Sequence, residues 1–149
     1  MTILFVCTGN TCRSPMAEAL LRDAAQKRGL GITVSSAGIS AYDGEPVSAN
    51  ARKALGNRGL SPAHCARVVD EPQIAAADLI LTMTARHRDA LHARYPENAG
   101  KIFTAGEYAG GMSDVPDPFG QDLAAYERCL DDLEQKINKI INRIEQERL

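Results

Sequence analysis

The chain carries no excess of either charge. Lys and Arg number 17 against 19 Asp and Glu, a formal net charge of −2, so there is no basic footprint for nucleic acid. It lacks a long apolar run: Ile3 to Cys7, the longest near the start, is far short of a membrane span. Met1-Thr2 has no positive n-region and no long apolar segment follows, so no signal peptide is expected. The four cysteines are then expected as thiols rather than a disulfide framework, and the chain is expected in the cytoplasm, away from membranes. No Cys/His cluster has zinc-site spacing, so no metal is expected, and no cofactor either. Internal repeats, low-complexity tracts and linkers are absent, so residues 1–149 read as one domain. What is present is a globular composition, 44% hydrophobic and 24% charged over 149 residues, enough to bury a core.

Strand and helix signals alternate along the chain. Thr2 to Cys7 is a short apolar, partly β-branched run and predicts a buried strand. Ser14-Pro15 reads as a helix start, Ser at the N-cap and Pro at N1. Met16, Leu20 and Ala24, spaced by four, carry that helix to about Lys27 before Gly29 and Gly31. Ile32 to Ser36 is a second strand, and Ser40 to Glu45 a loop. Pro46 opens a helix to about Asn57. Asp78 to Met83 is a third strand; Thr84 caps a helix that ends before Pro96. Lys101 to Thr104 is a fourth strand, and Gly106 to Gly120 a long loop. Leu123, Tyr126, Leu130, Leu133, Ile137, Ile140 and Ile144 mark an amphipathic helix, either docked on the domain or forming a coiled-coil seam. The pattern predicts an α/β fold, a four-stranded parallel sheet covered by helices on both faces. Ligands of such sheets bind beyond the carboxyl ends of the strands, which directs attention to the loop after the first strand.

That loop reads Cys7-Thr8-Gly9-Asn10-Thr11-Cys12-Arg13-Ser14-Pro15. Amides at a strand-to-helix junction can cradle an anion, aided by the helix dipole. Arg13 offers a planar fork for two phosphate oxygens. Cys7, at the strand end in that positive field, is expected to have a lowered pKa and to act as a nucleophile. The Gly-Lys-Ser/Thr ending of a nucleotide loop is missing, as is any Gly-x-Gly-x-x-Gly pattern. Read alone, Cys7 and Cys12 could also be small buried residues and Arg13 a surface charge.

The segment Cys7 to Ser14 resembles the phosphate-binding loop of the low-molecular-weight protein tyrosine phosphatase family. Met16-Ala17-Glu18, Ser36-Ala37-Gly38 and Asp117-Pro118-Phe119 resemble further family segments, and length and element order fit. The resemblance implies a phosphatase that acts through a phosphocysteine on Cys7, with Arg13 holding the equatorial oxygens. It implies that Asp117 protonates the leaving group and then activates water, although Asp114 competes on sequence grounds alone. Thr8, Gly9, Asn10, Thr11, Cys12 and Ser14 would surround the phosphoryl group, with Phe119 at the rim. Asn10, Ser14 and Ser36 would form the network that shapes the loop, and the Ser14 hydroxyl would stabilise the Cys7 thiolate. Cys12 would either close a reversible disulfide with Cys7 under oxidation or simply pack.

Substrate choice turns on Thr11. Many tyrosine-directed bacterial relatives carry an aliphatic residue there, whereas Cys-Thr-Gly-Asn-Thr-Cys-Arg-Ser-Pro-Met-Ala-Glu resembles the protein arginine phosphatase branch. A hydroxyl in the pocket wall can place a polar guanidinium or a water, where an aliphatic side chain would meet a phenyl ring. Phe119-Gly120 likewise departs from the Tyr-Tyr pair of some tyrosine-directed members. Phosphoarginine in proteins is therefore the expected substrate and phosphotyrosine the alternative, with inorganic phosphate as product. An arsenate reductase of the same fold is a rival, but its paired resolving cysteines are missing: Cys65 and Cys129 stand alone. A catalytically dead phosphate-binding module is another, opposed by the joint presence of Cys7, Arg13 and Asp117. Cys129 reads as packing. Cys65 follows His64, so either a Cys-His pair or plain surface placement is open. His87 and His92, five apart, do not share a helical face.

Overall fold

In a computed structural model that describes residues 1–62 and 64–147, the chain runs β1 (Thr2–Cys7), α1 (Arg13–Lys27), β2 (Thr33–Gly38), α2 (Ala49–Gly56), α3 (Glu71–Ala76), β3 (Leu79–Thr82), α4 (Ala85–Arg94), β4 (Ile102–Thr104), α5 (Ala105–Tyr108) and α6 (Leu123–Glu147), with a 3₁₀ segment at Pro96–Lys101. The four strands form one parallel sheet, as the apolar runs predict, and its order is β2-β1-β3-β4. Alternation along β1 sends Ile3, Phe5 and Cys7 into the larger core, with Met16 and Leu21 of α1 and Leu130, Ile137 and Ile140 of α6. Leu4 and Val6 enter the second core, with Ile74 of α3 and Leu91 of α4. Helices therefore cover both faces. The apolar stripe of α6 docks on α1 and α2, as a terminal helix and not as a coiled-coil seam within the chain. No described helix is long and apolar enough to cross a membrane.

Several boundaries differ from the sequence reading, each for a local reason. Helix α1 begins at Arg13, with Cys12 at the N-cap and no side-chain cap bond; Ser14 does not cap, because its hydroxyl is committed to Asn10 and Cys7. Helix α2 begins at Ala49, capped by the Ser48 hydroxyl accepting from Ala51 N. Pro46, expected to open it, is instead bridged to Cys65. Strand β2 runs on to Gly38 because Ala37 and Gly38 pair with Val6 and Cys7. Helix α3 was not anticipated, although Asp70 caps it through Gln73 N and a proline stands in its first turn. Helix α5 interrupts the expected loop through a reciprocal capping box of Thr104 and Glu107.

The chain leaves β1 toward β2 on one side and later returns to β3 on the other. The carboxyl end of β1 is thus the point where the strand order reverses, the usual place for a ligand crevice.

Candidate active site

The loop from Cys7 to Arg13 sits at that point. Asn10 adopts φ 57°, the left-handed conformation that an Asn tolerates better than most residues. The loop presses against the end of β2, where a Cβ on Gly38 would lie 2.5 Å from Thr8 O and 3.0 Å from Asn10 N. Only glycine allows this approach.

Hydrogen bonds orient the loop in one direction. The Asn10 Oδ1 accepts from Arg67 N at 3.0 Å, which assigns the amide and leaves Nδ2 as the donor. Nδ2 donates to Ser14 Oγ at 2.8 Å and to Ser36 Oγ at 2.9 Å. Ser36 donates its proton to Glu18 Oε1 at 2.6 Å. The Ser14 hydroxyl, an acceptor from Asn10, keeps its own proton to donate to Cys7 Sγ, 2.7 Å away, whenever that sulfur is a thiolate. The sulfur, the two hydroxyls and the amide are buried, so each unmade bond would be expensive.

The sequence reading missed two residues behind this network. His64 holds Asn10 O through Nε2 at 3.0 Å and faces Glu18 Oε1 through Nδ1 at 3.5 Å. Its ring is therefore turned away from any pairing with Cys65, which is exposed. Burial pushes the Glu18 carboxyl up, but hydrogen bonds from His64, Ser36 and Arg22 outweigh it and hold the group below its ordinary range. Glu18 thus anchors the network as a carboxylate. The Met16-Ala17-Glu18 segment carried the signal, but nothing in it assigns Glu18 a partner 18 residues away.

His87 is a third. Its ring nitrogens meet Thr8 Oγ1 at 2.8 Å and Thr84 Oγ1 at 3.0 Å, tying the first residue after β1 to the start of α4. Burial, with help from the Arg13 charge, pushes its pKa down to about 4, so the ring is neutral near pH 7. His92 is unrelated to the site and faces Ile102 O.

Cys7 requires a correction. Burial pushes its thiol up from the ordinary value, and the Ser14 hydroxyl, the Ser14 and Asn10 amides and Arg13 pull against it without reversing the direction. The expected lowering assumed a more open sulfur; Cys7 is 3% exposed. A doubly charged phosphoryl group is itself a base, so a thiol meeting a dianion and a thiolate meeting a monoanion carry the same single proton.

Arg13 is buried, with NH1 donating to Val115 O at 3.1 Å and NH2 at 3.5 Å from Asp117 Oδ2. That contact brings the loop after α5 over the mouth of the site. Asp117 lines the cavity, and its Oδ1 accepts from Phe119 N at 3.1 Å. Asp114, its sequence competitor, is used elsewhere, accepting from Ala85 N at the start of α4. The cavity measures about 290 Å³ and gathers Cys7, Arg13, Thr11, Asp117 and Phe119, with Tyr42 and Glu45 from the loop before α2. Thr8, Gly9, Asn10 and Cys12 also line it, whereas Ser14 and Ser36 act from behind. Thr11 is 9% exposed and its Oγ1 lies 3.7 Å from Cys12 Sγ. Cys12 contacts Tyr126 Oη at 3.3 Å and Ser48 Oγ at 3.5 Å. Cys129 packs beneath the Asp117 loop, its thiol pushed by burial up to about 12. Among the described residues no group of three or more His, Cys, Asp or Glu is placed to hold a metal ion.

A buried sulfur on an amide-lined loop, a guanidinium beside it and a carboxylate over the mouth define an α/β enzyme built to handle a phosphoryl group through a cysteine. Residues 2–149 match the model of the low molecular weight phosphotyrosine protein phosphatases. The chain is 37% identical over 149 residues to a protein-arginine-phosphatase of Bacillus subtilis, covering 99% of each. It is 38% identical over 140 residues to a low molecular weight protein-tyrosine-phosphatase PtpB of Staphylococcus haemolyticus, covering 94% of this chain and 97% of that protein. Among solved structures, the YwlE arginine phosphatase C7S mutant with a phosphorylated active-site serine superposes with a TM-score of 0.97 at 36% identity, covering 99% of this chain and 98% of that one. The chain belongs to the low molecular weight phosphotyrosine protein phosphatase family, and it is a phosphatase.

Proposed function

We propose that this enzyme removes phosphate from phosphoarginine in proteins, through a phosphocysteine on Cys7. The observation that carries the substrate is Thr11. It places a hydroxyl, not an aliphatic surface, in the wall of the cavity that holds Cys7 and Arg13. Overall identity does not separate the alternatives, since arginine- and tyrosine-directed relatives match almost equally well. The arginine phosphatase with phosphate on the residue that replaces its cysteine supports the covalent route.

In this reading the loop amides from Thr8 to Arg13 and the Arg13 guanidinium bind the phosphoryl oxygens and stabilise the charge of the transition state. Cys7 Sγ attacks phosphorus as the P–N bond breaks. Asp117 gives its proton to the departing nitrogen, so arginine leaves as its guanidinium cation. Water then attacks the phosphocysteine while Asp117 takes back a proton, the S–P bond breaks, and inorganic phosphate leaves. The Ser14 hydroxyl stabilises the sulfur anion in both halves, first as nucleophile and then as leaving group. Glu18, His64, Ser36 and Asn10 are positioning residues that keep that hydroxyl aimed. Cys12 is the resolving thiol that protects an oxidised Cys7.

The test is kcat/KM of the reduced protein on a phosphoarginine protein and on a phosphotyrosine peptide, side by side. A large preference for phosphoarginine is expected. A preference for phosphotyrosine would make Thr11 neutral and return the substrate to tyrosine. A Cys7→Ser variant is expected to bind phosphate without turnover; a near wild-type rate would refute the nucleophile.

A further inference from the structure

We infer that Glu45 selects the substrate, its carboxylate at the cavity mouth holding the guanidinium cation of phosphoarginine. This rests on the phosphoarginine reading and adds the group that recognises the cation. Glu45 lines the same cavity as Cys7 and Arg13. Its backbone is fixed on both sides: its N–H donates to Tyr42 O at 3.2 Å and its carbonyl accepts from Ala66 N at 2.8 Å. The next residue, Pro46, is bridged to Cys65. The side chain is exposed and forms no ion pair among the described residues. Asp117, the other carboxylate at the mouth, is already engaged by Arg13 at 3.5 Å and by Phe119 N at 3.1 Å.

The two candidate substrates share a phosphoryl group and differ in what bears it. Phosphotyrosine presents a neutral ring. Phosphoarginine presents a planar cation of similar size next to the phosphate. The exposed aromatics at the rim, Tyr42 and Phe119, accept either one: a guanidinium over a ring face gains from the quadrupole, and a phenyl ring stacks. Arg13 on the floor would repel a cation that came too deep. A carboxylate at the mouth reverses the field where the guanidinium lies and gives a flat partner for its N–H groups. It offers nothing to a phenyl ring. The cavity is therefore positive at its floor and negative at its rim, matching a group that is anionic at one end and cationic just behind.

The experiment compares the full-length wild type with Glu45→Gln and Glu45→Lys. Each is assayed on a phosphoarginine peptide and a phosphotyrosine peptide of the same flanking sequence. The quantity read is the ratio of the two kcat/KM values, which a partial loss of folded enzyme does not move. Glu45→Gln is expected to lower the phosphoarginine-to-phosphotyrosine ratio by roughly 3- to 10-fold, the range of a partly exposed charged hydrogen bond, and Glu45→Lys to lower it further. The wild-type advantage is expected to shrink as NaCl is raised, because the contact is open to solvent. A wild type that prefers phosphoarginine, with a ratio that neither variant moves, overturns the role of Glu45 alone. A wild type without turnover of phosphoarginine overturns the substrate reading and this inference together.

Discussion

The Ser14 hydroxyl offers a demanding test of the network, since it donates to Cys7 Sγ whenever the sulfur carries negative charge. In Ser14→Ala, Cys7 Sγ loses a donor at 2.7 Å and Asn10 Nδ2 loses an acceptor at 2.8 Å, both in a buried setting. A hydrogen bond to a charged group contributes about 1.5–3 kcal/mol. That bond is made to the thiolate far more than to the thiol, so its loss is expected to raise the Cys7 pKa further. The same energy is missing whenever negative charge sits on sulfur, in attack and in hydrolysis of the phosphocysteine. The expected fall in kcat is roughly 10- to 150-fold, with KM much less affected. The assay pairs steady-state kinetics with the pH dependence of Cys7 alkylation by iodoacetamide, and a melting curve separates any folding defect. An alkylation profile that coincides with the wild type, with kcat reduced less than about threefold, would show that Ser14 does not donate to the sulfur.

Further outcomes can be stated more briefly. Asp117→Asn is expected to lower kcat by about 10²–10⁴-fold, the usual contribution of a positioned acid, with the largest losses on poor leaving groups; a uniform small loss across an aryl phosphate series would refute its role. Thr11→Ile is expected to shift the kcat/KM ratio from phosphoarginine toward phosphotyrosine, and an unchanged ratio would remove Thr11 from the substrate argument. Oxidation by peroxide converts a Cys7 thiolate to a sulfenic acid with release of hydroxide, and the Cys12 thiol can then condense with it, releasing water and forming a disulfide. In Cys12→Ser, recovery of peroxide-treated enzyme by added thiol is expected to be lost; full recovery would leave Cys12 a packing residue. Burial pushes the His87 ring down to about 4 in the folded chain, against an ordinary 6.5. The unfolded chain therefore binds the extra proton between those values, and His87 makes stability fall as pH drops from about 6.5 toward 4. Urea unfolding of wild type and His87→Gln at both ends of that window is expected to show a shallower loss in the variant; parallel losses would refute the assignment.

The sheet was legible because its strands are short apolar runs bounded by turn residues, and a buried parallel strand leaves that signature without help from distant parts of the chain. The loop was legible for a related reason: nucleophile, amides and guanidinium are contiguous from Cys7 to Arg13, so spacing alone brings them together. What escaped was assembled across the chain. Glu18, His64 and His87 reach the loop from α1, from the segment after α2 and from α4. Each looked bland because its partner is 18 to 79 residues away. Asp117 and Asp114 could not be separated by sequence alone, and the separation came from what each carboxylate holds, Arg13 in one case and Ala85 N in the other. The start of α1 was misread because Ser14-Pro15 has the chemistry of a cap, while the fold spends that hydroxyl on the nucleophile. The Cys7 pKa was misjudged because sequence reveals the donors around a sulfur but not how completely it is buried.

The most direct measurement is where phosphorus resides during turnover. Wild-type enzyme mixed with a phosphoarginine peptide, quenched on the millisecond scale and digested for mass spectrometry, is expected to carry the phosphoryl group on the peptide containing Cys7. Turnover of phosphoarginine with no phosphate on Cys7, or with phosphate on another residue, would contradict the account.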